Sequence, residues 1–195
     1  MSLADDPKAE AILWRRLDVP GHDACRLVSE NRGWQLEGTA VFRHDDGPGL
    51  LAYEVACDSS WCTRRGRVRG HIGSRAIDVD ISHANGVWHL NRRLIDGLAG
   101  CVDLDLGFTP ATNLIPIRRL ALTIGQSRNV RAAWLDVAAG SLKPLDQRYE
   151  RRTESAYWYE APGFGYAAEL DVTPTGFIRR YPALWDEEAA AARAR

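Results

Sequence analysis

The sequence predicts a mainly β fold: an antiparallel curled sheet forming a half-barrel, or a β-sandwich, with short helical segments and a helical C-terminal tail. Apolar residues alternate with polar ones in many short runs. Clusters of Gly, Pro, Asn and Asp break these runs at short intervals, and no long helical periodicity separates them. Seven tryptophans and six tyrosines are generous for 195 residues and suit a wide sheet that must be filled or a cavity that must be lined. With 45% hydrophobic and 26% charged residues the chain reads as one globular domain, residues 11–186 forming its core and 187–195 a tail.

Ala11 to Leu17 and Ala24 to Ser29 are alternating runs separated by the turn signal Pro20-Gly21, and Asn31-Arg32-Gly33 makes the next turn. Trp34 to Phe42 and Leu50 to Cys57 flank the loop Asp45 to Gly49 and form a hairpin. Between Trp61 and Arg93 the register follows from turn chemistry. A two-residue loop at Gly73-Ser74 sets Arg69 opposite Asp78, Arg67 opposite Asp80 and Val68 opposite Val79. The same rule at Asn85-Gly86 sets His83 opposite Trp88, Ile81 opposite Leu90 and Asp80 opposite Asn91. The inner face of this meander then carries Val68, Ile77, Val79, Ile81, Trp88 and Leu90, and its outer face carries arginines and aspartates.

At Asp96-Gly97 two registers compete. A two-residue loop turns Asp103 and Asp105 to the apolar face, whereas one residue more or less turns Val102 or Leu104 there instead. Val102, Leu104 and Leu106 then alternate with the two aspartates. Thr109-Pro110, Thr112-Asn113 and Pro116 break this run into a pinned, non-repetitive connection ending at Arg118-Arg119. Val130 to Ala138, Gln147 to Arg152, Tyr157 to Glu160, Tyr166 to Val172 and Phe177 to Tyr181 complete the strands, with Pro144, Pro162-Gly163 and Pro174-Thr175-Gly176 dividing them. Asp186 to Arg195 opens on acidic residues and closes on arginines, which matches a helix dipole.

A formal net charge of −1 argues against a general nucleic-acid or anionic-membrane binder. Met1 to Lys8 lacks a basic and apolar leader, and no run approaches the ~18 apolar residues of a membrane span, so a cytoplasmic protein without a transmembrane segment is expected. Cys25, Cys57, Cys62 and Cys101 lack metal-site spacing and read as reduced, mostly buried thiols. His83 and His89 fall on opposite faces, so His71, His83 and His89 do not converge on a metal, and no cofactor is expected.

Several side chains carry candidate chemistry. Arg65, Arg67 and Arg69 share the outer face and read as a solvated ladder paired to Asp78 and Asp80. Arg64 falls on the opposite face, where an inward guanidinium needs an anion; Asp103 or Asp105 is the candidate partner. One of Arg118 and Arg119 points inward by the same logic if their segment is extended. Asp103 and Asp105 lie about 6.5 to 7 Å apart as alternate strand residues, a spacing that a glycosidase-like carboxylate pair can use. Tyr157 and Tyr159 share one face, with Trp158 on the other, and serve either the core or a stacking wall.

Gly-Cys-x-Asp-x-Asp-Leu from Gly100, Thr-Pro-x-Thr-Asn from Thr109 and Pro-Ile-Arg-Arg-Leu from Pro116 together resemble the "Putative glycolipid-binding" family, first catalogued as a domain of unknown function. Trp14 with Pro20-Gly21 and Cys25, Cys57-Asp58-x-x-Trp61-x-Thr63-Arg64, Gln147-x-Tyr149 and Leu184-Trp185 fit it too, so the resemblance spans residues 11 to 186. It implies a β fold similar to bacterial lipoprotein-localisation factors and mycobacterial glycolipid carriers, with an apolar cavity under a curved sheet. Trp61, Arg64, Trp88, Asp103, Asp105, Asn113, Arg118, Arg119, Tyr157 and Tyr159 would then be the ligand-binding residues, with aromatic side chains and one or two inward arginines orienting the polar head. The function expected is binding of a glycolipid or other hydrophobic ligand without catalysis, driven by about 0.8 kcal/mol per buried CH₂. The alternatives are an enzyme acting on a sugar- or acyl-containing substrate through Asp103 and Asp105, and an interaction module with a solid interior.

Overall fold

The structure, a computed structural model, describes residues 10–188. Eight strands come first: β1 (Glu10–Arg16), β2 (Gly21–Glu30), β3 (Gly33–His44), β4 (Gly47–Asp58), β5 (Thr63–Ile72), β6 (Arg75–Ala84), β7 (Val87–Leu90) and β8 (Arg93–Ile95). The short β9 (Asp103–Asp105), a 3-10 turn (Ala111–Asn113) and the helix α1 (Leu114–Leu120) follow. The chain then returns through β10 (Ser127–Asp136), β11 (Ser141–Arg151), β12 (Ala156–Ala161), β13 (Tyr166–Val172), β14 (Ile178–Tyr181) and β15 (Trp185–Glu187).

All of these strands belong to one curled sheet in the order β8-β7-β6-β5-β4-β3-β2-β1-β15-β14-β13-β12-β11-β10-β9. First and last strands meet in the middle, where Arg15 pairs with Asp186. Trp14 rivets this junction: fully buried, it donates its indole N–H to the Ile178 carbonyl at 2.5 Å and packs edge-on against Phe177. The two edges, β8 and β9, are consecutive in sequence. The curled sheet is left unclosed, and residues 96–102 link its two edges at this seam.

Turn chemistry sets the first half as expected. Arg67 pairs with Asp80, Val68 with Val79 and Arg69 with Asp78, while Ile81 pairs with Leu90 and His83 with Trp88. Val68, Ile77, Val79, Ile81, Trp88 and Leu90 are all buried. Asn85 and Gly86 both have positive φ, the geometry of a two-residue hairpin loop that follows sheet twist. Asn91 and Arg92 repeat it and launch β8, a strand not anticipated. The loop after β3 is tighter than expected: only Asp45 and Asp46 turn, and Gly47 to Gly49 already pair with β3.

Neither hairpin register considered at Asp96-Gly97 occurs. β9 pairs with β10 instead, and in parallel, Leu104 standing opposite Ala133. Parallel neighbours need a crossover, and α1 lies within it. The expectation of a non-repetitive segment up to Arg119 is corrected accordingly. Leu114 to Leu120 is helical, and Pro116 is tolerated because the first turn leaves its N–H positions without intrahelical acceptors. Pro144 does not end a strand but sits inside β11, level with Ala133 and beyond the reach of β12, where the missing donor costs no pairing on that side. The helix expected from Asp186 is replaced at its start by β15, because β1 and β14 both offer it a partner edge; the remainder of that expected helix, residues 189–195, lies outside the described residues.

Residues 108–118 are buried without interruption. This segment, entered through Leu98 and Cys101 and left through Leu122, fills the space under the sheet. Its seat is shaped for it. A Cβ on Gly66 of β5 would lie 2.4 Å from Leu104 Cδ2, so only glycine leaves room for that leucine. Leu104→Ala is expected to cost about 2–5 kcal/mol and Gly66→Ala about 1–3 kcal/mol in urea unfolding. The double variant is expected to lose less than the sum, because the added methyl enters the vacated space.

Candidate functional site

A buried segment must find a partner for each of its polar groups, and the inserted chain does so with the residues that make it distinctive. Arg119 donates Nε and Nη2 to the two carboxylate oxygens of Asp103, each at 2.7 Å. Asp103 is 1% exposed and Arg119 21%. Burial pushes the Asp103 carboxyl up, and the guanidinium opposes that shift. Thr63 stitches β5 to β9, its Oγ1 accepting from the Leu104 N–H at 3.0 Å while its own N–H donates to the Val102 carbonyl at 3.0 Å. Asp105 accepts from Gln147 Nε2 and from the Gly107 N–H, both at 2.7 Å, and burial also pushes its carboxyl up. Asn113 Nδ2 donates to the Tyr149 hydroxyl at 2.8 Å, and that hydroxyl donates on to Gln147 Oε1 at 3.4 Å. Thr112 accepts from the Leu106 N–H.

A third anchor escaped the sequence reading. Asp23 on β2 is fully buried and accepts hydrogen bonds from the hydroxyls of Thr109 and Tyr53, the latter at 3.0 Å. Its partners are hydroxyls and not cations, so desolvation outweighs them and the carboxyl is pushed up to about 6. The signal was available: Asp23 continues the inward alternation of Cys25 and Leu27, but the expected strand began one residue later.

The residues expected to line one site are distributed over several places. Trp61 is buried, has φ +64 and stacks on Trp34 with centroids 5.3 Å apart, and the Arg118 guanidinium lies 5.5 Å from its ring. Asp58 shapes this loop by accepting from the N–H groups of Ser60 and Cys62. Arg64 does not point inward. The ladder pairs Ala56 with Arg65 and Cys57 with Thr63, so Arg64 is the extra residue of a β-bulge and is turned out to an ion pair with Asp58 at 2.5 Å. Asp103 takes Arg119 in its place. Trp88 is buried, donates to the Cys101 carbonyl and stacks on His83, whose Nδ1 lies 2.9 Å from the Thr63 carbonyl. Tyr157 lies beneath Arg151. Tyr159 joins Tyr149, Tyr166 and Tyr181 in an aromatic cluster that occupies interior volume. Burial raises the thiol of Cys57 to about 12 and that of Cys101 to about 11, so both sulfurs are held as thiols.

The outer face carries a groove of about 950 Å³ across β1 to β5 and the end of β15. Its floor is a cross-strand row of small and apolar side chains: Leu13 opposite Ala24, Ala24 opposite Thr39, Thr39 opposite Ala52. Val41 and Leu50, paired and exposed, continue this apolar strip on one side. On the other side runs a charged row, Arg26 opposite Glu37, Glu37 opposite Glu54 and Glu54 opposite Arg67. The groove is thus amphipathic, and it shares none of the residues that anchor the inserted segment except the Tyr53 beneath it.

Fold and site together define a curled β-sheet protein, open at one seam, that fills its inner side with its own chain and turns an amphipathic groove outward. The chain belongs to the family described as "Putative glycolipid-binding", whose model matches residues 11–187. A crystal structure of a DUF1089 family protein from Pseudomonas aeruginosa has a TM-score of 0.75 and 27% identity to it, covering 85% of this chain and 91% of that one. No curated protein matches. The motifs that carried the family resemblance include the anchors of the inserted segment: Asp103, Asp105, Thr109, Thr112, Asn113, Arg119, Gln147 and Tyr149.

Asp23 generates a pH signature. Its carboxyl titrates near 6 in the fold against 3.8 unfolded, so the fold holds the proton more tightly. Its contribution to stability is therefore greatest below about pH 4, falls as pH rises to about 6 and is flat above, by about 3 kcal/mol in all. Asp23→Asn is expected to be more stable than the native protein at pH 7 and to lose that advantage at pH 4, read from urea midpoints across this range.

Proposed function

We propose that this protein binds a single-chain amphiphile of the glycolipid type, without chemistry, in the groove of its outer face. The observation that carries this reading is the pairing of an apolar floor with a charged row on adjacent ladders of one sheet, in a groove of about 950 Å³. Ligand sites of this size are common, and most are mainly apolar with a few placed polar groups. The space under the sheet, where the family resemblance implied a ligand cavity, holds the buried residues 108–118, which favours the groove as the seat.

In this reading the expected aromatic and charged site residues act one step away from the ligand. Asp103, Asp105, Asn113 and Arg119 hold the inserted segment, which in turn backs the sheet that forms the groove. A ten-carbon chain half buried on the floor gains about 4 kcal/mol before the cost of association. Free thiols at Cys25, Cys57, Cys62 and Cys101 support a reducing, cytoplasmic compartment. Among the described residues no helix is long and apolar enough to cross a membrane.

Ala52→Glu places a carboxylate on the apolar floor opposite Arg69. Titration calorimetry with a decyl-chain nonionic amphiphile, below its critical micelle concentration, is expected to show binding to the native protein and at least ten-fold weaker binding to this variant at unchanged melting temperature. Equal affinity in both proteins contradicts the groove.

A further inference from the structure

Resting on that reading, we infer that Glu54 and Arg67 form the head-group subsite of the groove and that they select an uncharged, hydroxyl-rich head. Most charged side chains around the groove are committed elsewhere. Arg26 pairs with Glu37 at 2.6 Å, Arg69 with Asp78 at 3.0 Å, Arg179 with Glu187 at 2.6 Å, and His22 lies 3.3 Å from Glu188. Arg67 stands opposite Asp80 in the ladder, yet Arg65 reaches diagonally to take that carboxylate at 2.8 Å. Arg67 and Glu54 face each other across β4 and β5, and among the described residues neither enters an ion pair. Arg67 Nε is buried with no hydrogen-bond partner.

Directly opposed strand residues have their Cβ atoms about 4.5–5.5 Å apart, so one small group can touch both side chains. What it must offer follows from their chemistry. Glu54 only accepts hydrogen bonds, and Arg67 only donates them. A phosphate or carboxylate head would satisfy Arg67 and be repelled by Glu54; an ammonium head would do the reverse. A sugar hydroxyl donates its proton to the carboxylate and accepts from the guanidinium, so neighbouring hydroxyls on one ring use both groups together. The apolar row begins two residues away, at Ala52 on the strand that carries Glu54. A head held at β4 and β5 therefore directs its chain across Thr39 and Ala24 toward Leu13.

The test compares ligands with one decyl chain and different heads, by calorimetry below the critical micelle concentration at pH 7: decyl glucoside, decyl maltoside, decanoate, decyltrimethylammonium and 1-decanol. A glycoside is expected to bind at least ten-fold more tightly than either charged compound. Glu54→Gln and Arg67→Gln are each expected to weaken glycoside binding about ten-fold and to leave 1-decanol unchanged. Preference for a charged head, or glycoside affinity unchanged in both variants, overturns the head-group assignment while the groove stands. Failure of every decyl compound to bind removes the groove and the assignment with it. The comparison among ligands needs no variant, so it decides the matter even if Arg67→Gln folds poorly.

Discussion

The ion pair between Asp103 and Arg119 is the constraint on which the rest of the molecule depends. A carboxylate buried beneath a sheet is costly unless a cation meets it with good geometry, and Arg119 meets both oxygens at 2.7 Å. That pair joins β9, the strand at one edge of the sheet, to the helix α1 that lies under it. The connection from edge to interior is thereby fixed at both ends. Everything between, from Leu104 in its glycine seat to Thr109 on Asp23, packs because the ends cannot drift.

A sheet of this width has a large inner face, and something must cover it. In this chain the cover is its own residues 108–118 together with an aromatic cluster around Tyr149, Tyr159 and Tyr181. The aromatics that suggested a lined cavity are filling volume, which is what buried aromatic surface does most economically. The groove of the proposed function lies on the other face of the same strands. There the alternation that sends Ile12, Cys25, Ala40 and Leu51 inward sends Leu13, Ala24, Thr39 and Ala52 outward, and short side chains on adjacent strands leave a trough.

How much of this the sequence disclosed depends on the range of the contacts involved. Registers governed by a two-residue loop, as at Gly73-Ser74 and Asn85-Gly86, were legible because the turn and the inward alternation agree within a few residues. The inner face of β5 to β7 followed directly. The seam at Asp96-Gly97 was not legible, since β9 finds its partner in β10 across a helical crossover and no local rule selects a parallel neighbour far along the chain. Arg64 failed for a local reason: one extra residue in a bulge reverses the alternation from that point, and its signature lies in the partner strand. The motif residues were found, and their setting was not, because Asp103 or Asp105 was matched to Arg64 on β5, whereas Asp103 pairs with Arg119 on the helix α1. The groove was hidden in plain alternation, as a row of small outward residues that only the pairing of four strands assembles.

The chain occupies the inner side of the sheet, and the proposed ligand lies outside it. Photo-crosslinking tests this placement most directly, using a glycolipid with a diazirine near the end of its acyl chain and mapping the labelled residues by mass spectrometry. Label on Leu13, Ala24 or Thr39 is the result this account predicts. Label on Leu114, Ile115 or Tyr159, under the sheet, would contradict it and return the ligand to the interior.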